Sequence, residues 1–189
     1  MKPKKLLFLV LFSLFTANAF PSAALKNYTL KDQNGKALQL HDLKGSFVLV
    51  SFVYTRCPMA EMCPLTMTLN KQVYSQWQKN LSSIPLKFLI VTLDPANDTP
   101  QVMKSYGKKF GVSNQAFVLA TGEEQVVADF SAEFNAIGFP TNGLISHNSR
   151  SVLVSPDLIP LKDYKDNEWK PETLLKDLLE FSSKSQKKS

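Results

Sequence analysis

Eight consecutive residues, Phe47 to Tyr54, read FVLVSFVY. A run this apolar, with no polar alternation, forms a strand buried on both faces, which requires a sheet covered by helices on each side. The chain that follows changes period. Pro64 suits the first turn of a helix, where its missing N–H would be unpaired anyway. Leu65, Leu69, Val73 and Trp77 then recur every fourth residue and predict a buried helical stripe. Between strand and helix lies Cys57-Pro58-Met59-Ala60-Glu61-Met62-Cys63-Pro64, which holds both cysteines of the chain. The carboxyl end of an inner strand is where ligands collect in open α/β sheets.

The spacing limits what the two thiols can do. On a helix they would stand about 240° apart, so they meet only if the segment loops back. Pro58 holds Cys57 extended. Cys63 falls at the N-terminus of the next helix, where the dipole favours a thiolate. Thiolates are nucleophiles in disulfide exchange and soft metal ligands, and Met59 and Met62 add thioethers suited to Cu(I).

The first nineteen residues stand apart. Lys2, Lys4 and Lys5 precede the apolar run Leu6 to Phe15, and Ala17-Asn18-Ala19 supplies small residues at a cleavage site. This is the pattern of a secretory signal peptide, residues 1–19. The apolar run is about half the roughly twenty residues that span a bilayer, so a retained membrane anchor is the lesser reading. Removing the leader takes away three lysines and halves the formal charge of +6. Much of the remaining excess lies in a polar basic tail, residues 184–189, a solvated end rather than a nucleic-acid arm. No basic patch interleaved with aromatics points to nucleic acid. Two cysteines in an exported chain permit a disulfide. A loop this short closes little unfolded-state entropy, which weakens the case for a purely structural staple.

Residues 20–183 read as one domain with a thioredoxin-like α/β fold: a mixed central sheet flanked by helices, opened by an N-terminal hairpin. That hairpin flanks Asn34-Gly35. Leu86 to Leu93 is a second buried strand. Thr99 or Asp98 caps a helix from Pro100 to Phe110, closed by Gly111. Gln115 to Ala120 is a third strand. Thr121 and Glu124 form a capping box for a helix reaching Ala136, with Val126, Val127, Phe130 and Phe134 inward. Gly138 to Ser146 reads as a loop. Ser151 to Ser155 and Ile159 to Tyr164 are two further strands, and Pro171 starts a last helix that buries Leu174, Leu175, Leu178 and Phe181.

Three ordered motifs then converge. The run Phe52-Val53-Tyr54-Thr55-Arg56-Cys57-Pro58 with Cys63-Pro64 resembles the Sco/SenC family of thioredoxin-like proteins. So do Thr92-Leu93-Asp94-Pro95-Ala96-Asn97-Asp98-Thr99-Pro100 with the helix ending Lys109-Phe110-Gly111, and Ile145-Ser146-His147-Asn148. Trp169-Lys170-Pro171-Glu172 also fits. The resemblance covers Asn27 to Phe181. It implies copper binding, Cu(I) or Cu(II), by Cys57, Cys63 and His147, and delivery to the copper centre of cytochrome c oxidase or another periplasmic copper protein. Some members of that family act instead as thiol–disulfide reductases, for which Cys57 and Cys63 alone suffice. The family's usual spacing leaves three residues between the cysteines, and this chain has five, which makes it similar to a subgroup with the longer loop. Export and the absence of a long anchor fit a periplasmic, metallochaperone-like protein, associated with the inner membrane only if the leader is retained.

The remaining candidates have bland readings beside the functional ones. His41, next to Asp42, is read as structural. Asp94 and Asp98 fit turn and cap chemistry better than metal support. Arg56 has two open roles: lowering the pKa of a neighbouring thiol or meeting a partner's carboxylate. A peroxidase-like thiol would want a threonine one position further from Cys57 than Thr55.

Overall fold

The computed structural model describes residues 23–186. The leader assigned to residues 1–19 and the last three residues of the basic tail lie outside them. Nine strands and four α-helices follow in the order β1 (Thr29–Asp32), β2 (Ala37–Gln39), β3 (Phe47–Val53), α1 (Cys63–Asn80), β4 (Leu86–Thr92), α2 (Pro100–Phe110), β5 (Phe117–Thr121), α3 (Glu124–Glu133), β6 (Gly138–Thr141), β7 (Leu144–His147), β8 (Arg150–Val154), β9 (Pro160–Lys165) and α4 (Pro171–Gln186). Helix α4 takes in Lys184, the first residue of the expected tail, and pairs it with Glu180.

Seven strands form one sheet in the order β2-β1-β5-β4-β3-β8-β9. Strands β3, β4 and β5 run parallel. Strand β8 lies antiparallel to β3, and β9 antiparallel to β8. With β5 and the β1–β2 hairpin extending the sheet beyond β4, this is the expected thioredoxin-like layout. All seven residues of β3 are buried. Alternate side chains of that strand feed two separate cores, as the period-2 pleat demands. Phe47, Leu49 and Val53 join Phe88, Phe117, Met67, Met103 and Leu178 beneath α1, α2 and α4. Val48, Val50 and Phe52 face α3 through Phe130 and Phe134. Among the described residues no helix is long and apolar enough to cross a membrane.

The topology also fixes where chemistry can collect. Parallel strands β3 and β4 end together, Val53 opposite Thr92. Strand β8 runs the other way and pairs Ser151 with Ser51, so its first residues arrive at the same edge. The segment just before β8 therefore meets the segment just after β3.

Four local expectations are corrected. The buried stripe of α1 runs through Cys63, Thr66, Met67, Leu69, Asn70 and Val73, so Leu69 and Val73 are buried as expected, while Leu65 and Trp77 sit half-buried at its border. The helix is rotated because its first turn must plug Cys63 into the core, and Asn70 is held inward by Ser51, whose hydroxyl also meets that of Ser151 at 2.8 Å. The Thr121–Glu124 capping box does not form. Thr121 is the last residue of β5, and α3 starts at Glu124 after Glu123 with no side-chain cap. That helix stops at Glu133, short of Ala136, where Asn135 turns left-handed at φ 52°. The expected loop at Gly138 to Ser146 is a second hairpin, β6–β7, closed by Asn142 and Gly143 at φ 51° and 76°. Two successive left-handed residues make the tight turn whose twist matches the strands.

Candidate metal centre

Three segments converge at the carboxyl edge of β3. The Sγ atoms of Cys57 and Cys63 and a ring nitrogen of His147 all lie within 4.8 Å of one another. Both cysteines are free thiols. Cys63 is fully buried in the first turn of α1, whereas Cys57 is half-exposed in the loop before it. His147 ends β7, brought to the site by the second hairpin.

The imidazole is already arranged as a ligand. Its Nδ1–H donates to the Asn148 carbonyl at 3.0 Å, which leaves the Nε2 lone pair pointing at Cys63 Sγ, 3.3 Å away. A backbone acceptor on one ring nitrogen fixes the tautomer that the other needs for metal binding. Burial pushes the His147 pKa below its ordinary value, so the ring is neutral at neutral pH. Tyr54 packs edge-on against that ring, with centroids 5.4 Å apart. Asn148 clamps the hairpin in turn. Its side chain accepts from the Ile137 N–H at 3.0 Å and donates to the Asn135 carbonyl at 2.8 Å.

Cys63 corrects the expectation of a thiolate favoured by the helix dipole. Burial raises its pKa strongly, and the N–H of Tyr54, donated to Sγ at 3.3 Å, only partly offsets this. Desolvation wins because a dipole supplies half a charge while the core removes the water shell of a whole one. The thiol is therefore protonated at neutral pH and gives up its proton only to something that replaces it.

The loop between the cysteines is held from below and from behind. Asp98, fully buried, accepts from the Thr55 N–H at 3.0 Å and from the hydroxyls of Thr55 and Thr92. Asp94 takes the Arg56 guanidinium through Nη2 at 2.7 Å and Nε at 3.1 Å. These two aspartates tie the entry of the cysteine loop to the end of β4, a larger task than the turn and cap chemistry expected of them. Arg56 is committed to Asp94, and Thr55 faces Asp98 rather than a sulfur, as a peroxidase-like thiol would not have it. Asn167, which sequence reasoning missed, holds the loop's far end. Its Nδ2 donates to the carbonyls of Glu61 and Met62 at 3.2 and 3.1 Å, and its Oδ1 accepts from Thr66. Asp166-Asn167 carried a local turn signal, but nothing local told where that side chain would reach. Met59 is 52% exposed and Met62 half-buried. His41 is exposed, away from the described centre.

The unequal burial of the two thiols predicts unequal reactivity. In the folded protein, iodoacetamide is expected to modify Cys57 at least about tenfold faster than Cys63, read by peptide mass spectrometry. Equal rates would mean that Cys63 is not sealed in the core.

Comparison with known proteins follows this geometry. The family profile described as SCO1/SenC matches residues 16–183. The chain is similar to the SCO1 protein homolog of Bacillus subtilis, 31% identical over 150 residues, or 76% of this chain and 75% of that protein. It is similar to a SCO2-like protein of Rickettsia typhi, 32% identical over 137 residues, or 67% of this chain. That match spans 63% of the relative's own length, less than two thirds. Among solved structures, ScoI of Bradyrhizobium japonicum with copper bound superposes with a TM-score of 0.68 at 26% identity, covering 84% of this chain and 99% of that one. ScoI of Arabidopsis thaliana with copper bound shares the fold, with a TM-score of 0.73 at 21% identity over 84% of this chain and 97% of that one.

Proposed function

The chain belongs to the SCO1/SenC family, and from that premise we propose that it is a copper carrier whose cargo is held by Cys57, Cys63 and His147. One observation carries the reading: three soft or borderline donors, two from one segment and the third 84 positions beyond Cys63, lie within 4.8 Å of each other. Two thiolates and an imidazole make a compact set suited to Cu(I), and the imidazole extends it to Cu(II). The half-exposed Cys57 gives the ion a way in and out, while Cys63 supplies the buried floor and the half-buried His147 its side.

The leader-like start supports a periplasmic setting. Family membership supports delivery to the copper centre of cytochrome c oxidase, or to another periplasmic copper protein. These two parts of the reading rest on sequence and kinship, and a copper transfer assay with the purified acceptor tests them.

The reduced protein is expected to take up one tight equivalent of Cu(I) in competition with a chromophoric chelator. Absence of tight binding would sink the proposal. Uptake also has a pH signature. Copper must displace the Cys63 proton, because burial holds that thiol's pKa above its ordinary value. Burial lowers the His147 pKa, so the ring is already neutral above neutral pH and the proton released there is the thiol's. Apparent affinity therefore rises with pH above neutrality, by about tenfold per unit for that proton alone. Calorimetry in buffers of different ionisation enthalpy counts the protons released, and a count of zero contradicts the buried thiol.

A second reading uses the same pair. The sulfurs lie within 4.8 Å, and a disulfide needs about 2.05 Å, so a small loop movement closes it. A thiol–disulfide reductase built on Cys57 and Cys63 would keep its activity in His147→Ala, whereas a copper carrier would not be indifferent to that change.

A further inference from the structure

Two successive residues that carry side chains, Asp166 and Asn167, take the left-handed conformation in the turn between β9 and α4, at φ 55° and 56°. Crowding at Cβ makes that region unfavourable for residues other than glycine, and Asn and Asp tolerate it best. The two residues differ in what their side chains do. Asp166 is exposed, and its N–H, which any residue in its place would supply, donates to the Ser149 carbonyl at 3.0 Å. Asn167 turns its amide into the protein and is 8% exposed.

That amide touches three separate segments. Its Nδ2 lies 3.2 and 3.1 Å from the carbonyl oxygens of Glu61 and Met62, and 3.4 Å from Ser149 Oγ. Its Oδ1 accepts from the Thr66 hydroxyl in the first turn of α1 at 3.1 Å. Met62 immediately precedes Cys63, and Ser149 follows His147 by two positions. Asp94 and Asp98 tie the cysteine loop to the end of β4, and Asn148 ties the histidine hairpin to Asn135 and Ile137. The Asn167 amide instead spans from the cysteine segment to the histidine segment. Glycine would take the same backbone conformation without steric cost. The turn by itself therefore needs no amide, and burying one is favourable only where its donors and acceptor are met. What the side chain adds is the link between the two segments that deliver the donors.

We propose that Asn167 is a positioning residue that couples the two donor-bearing segments and keeps Cys63 and His147 at metal-holding spacing before the ion arrives. The proposal rests on the copper reading above and adds to it a residue from the β9–α4 turn, outside the cysteine and histidine motifs. A site already held in its binding geometry loses less freedom when the ion enters, so affinity rises without any new contact to the metal.

The test sets Asn167→Gly and Asn167→Asp beside Asp166→Gly, all in the full chain. Asp166→Gly makes the same backbone change one residue earlier and leaves the amide in place. Asn167→Asp keeps the shape and the acceptor for Thr66, but turns an oxygen toward the carbonyls of Glu61 and Met62. Three quantities are read: Cu(I) affinity by chelator competition, the sulfur-to-Cu(II) charge-transfer band and, without metal, the ratio of the iodoacetamide rates at Cys57 and Cys63. Both Asn167 variants are expected to bind Cu(I) about tenfold more weakly, the lower range for a group behind the ligands, and to shift the band. Their Cys57-to-Cys63 rate ratio should shrink about fivefold, the effect of one net hydrogen bond on a local opening equilibrium. Asp166→Gly is expected to match the wild type in all three. Wild-type affinity and an unshifted band in Asn167→Gly overturn the proposal. So do equal losses in Asp166→Gly and Asn167→Gly, which place the effect in the backbone of the turn. If the wild type itself takes up no copper, the copper reading fails, and the metal-free rate ratio still decides the coupling: a wild-type ratio in Asn167→Gly overturns it too.

Discussion

Cys63→Ser is expected to remove tight Cu(I) binding while leaving the protein folded. The loss should exceed the ~10- to 100-fold that follows from removing an outer-sphere partner, because a direct ligand is exchanged for a hard, protonated hydroxyl that does not suit a soft cation. The fold should survive. Serine is nearly isosteric, and its buried hydroxyl inherits the donor role toward His147 Nε2 that the thiol has at 3.3 Å. Cys57→Ser should lose binding comparably. Its position is half-exposed, so the melting temperature should hardly move. His147→Ala separates the oxidation states. Two thiolates can still hold Cu(I) in a linear arrangement, so Cu(I) binding weakens less than in either cysteine variant. Cu(II), which needs the nitrogen ligand, is lost. Chelator competition for Cu(I) and absorption spectroscopy for Cu(II) give the three answers. Cys63→Ser that binds Cu(I) as the wild type does would remove Cys63 from the ligand set and with it the proposed site.

Asp98→Ala is the largest expected loss of stability outside the hydrophobic core. One fully buried carboxyl group accepts from the Thr55 N–H and from two threonine hydroxyls. Its removal leaves donors unsatisfied at a cost of about 1–3 kcal/mol for each that cannot find another partner. The Thr55 N–H has no freedom to rotate away, so a total of about 3 kcal/mol is expected. For a domain of this size that lowers Tm by roughly 6–12 °C. The same contact fixes the backbone two residues before Cys57, so copper affinity should fall as well, within the ~10- to 100-fold of an outer-sphere change. Asp98→Asn, which keeps one carbonyl acceptor but turns an amide donor toward the remaining donors, should lie between. A melting temperature within 2 °C of wild type (about 1 kcal/mol or less) in Asp98→Ala would show that the threonines re-pair and that Asp98 does not brace the loop.

Both variants show why some of the site could be read along the chain and some could not. Cys57 and Cys63 announce themselves, because a continuous apolar strand followed by Cys-Pro and Cys-Pro before a helix leaves them in one loop. Asp94 and Asp98 were visible as an aspartate loop, yet their partners Arg56 and Thr55 lie on another segment. Short-range signals assign turn and cap roles to such residues because those are the only partners a local window contains. The second hairpin was readable too. Asn142-Gly143 is the same signal as Asn34-Gly35, but on one flank all of Gly138 to Thr141 are exposed and lack the alternation that marks a strand resting on a core.

The sequence by itself determined most of the elements, the helix-covered sheet and the three candidate donors, since each follows from local period, from turn chemistry or from a motif in a fixed order. Only the tertiary structure decided their meeting. The antiparallel arrival of β8 beside β3 carries His147 to within 3.3 Å of a cysteine 84 residues earlier. Tertiary structure also decided the charge state of that cysteine. A helix terminus is a local feature and argues for a thiolate, but the cost of desolvation depends on everything packed around the sulfur. For Cys63, with no exposed surface left, that cost prevails.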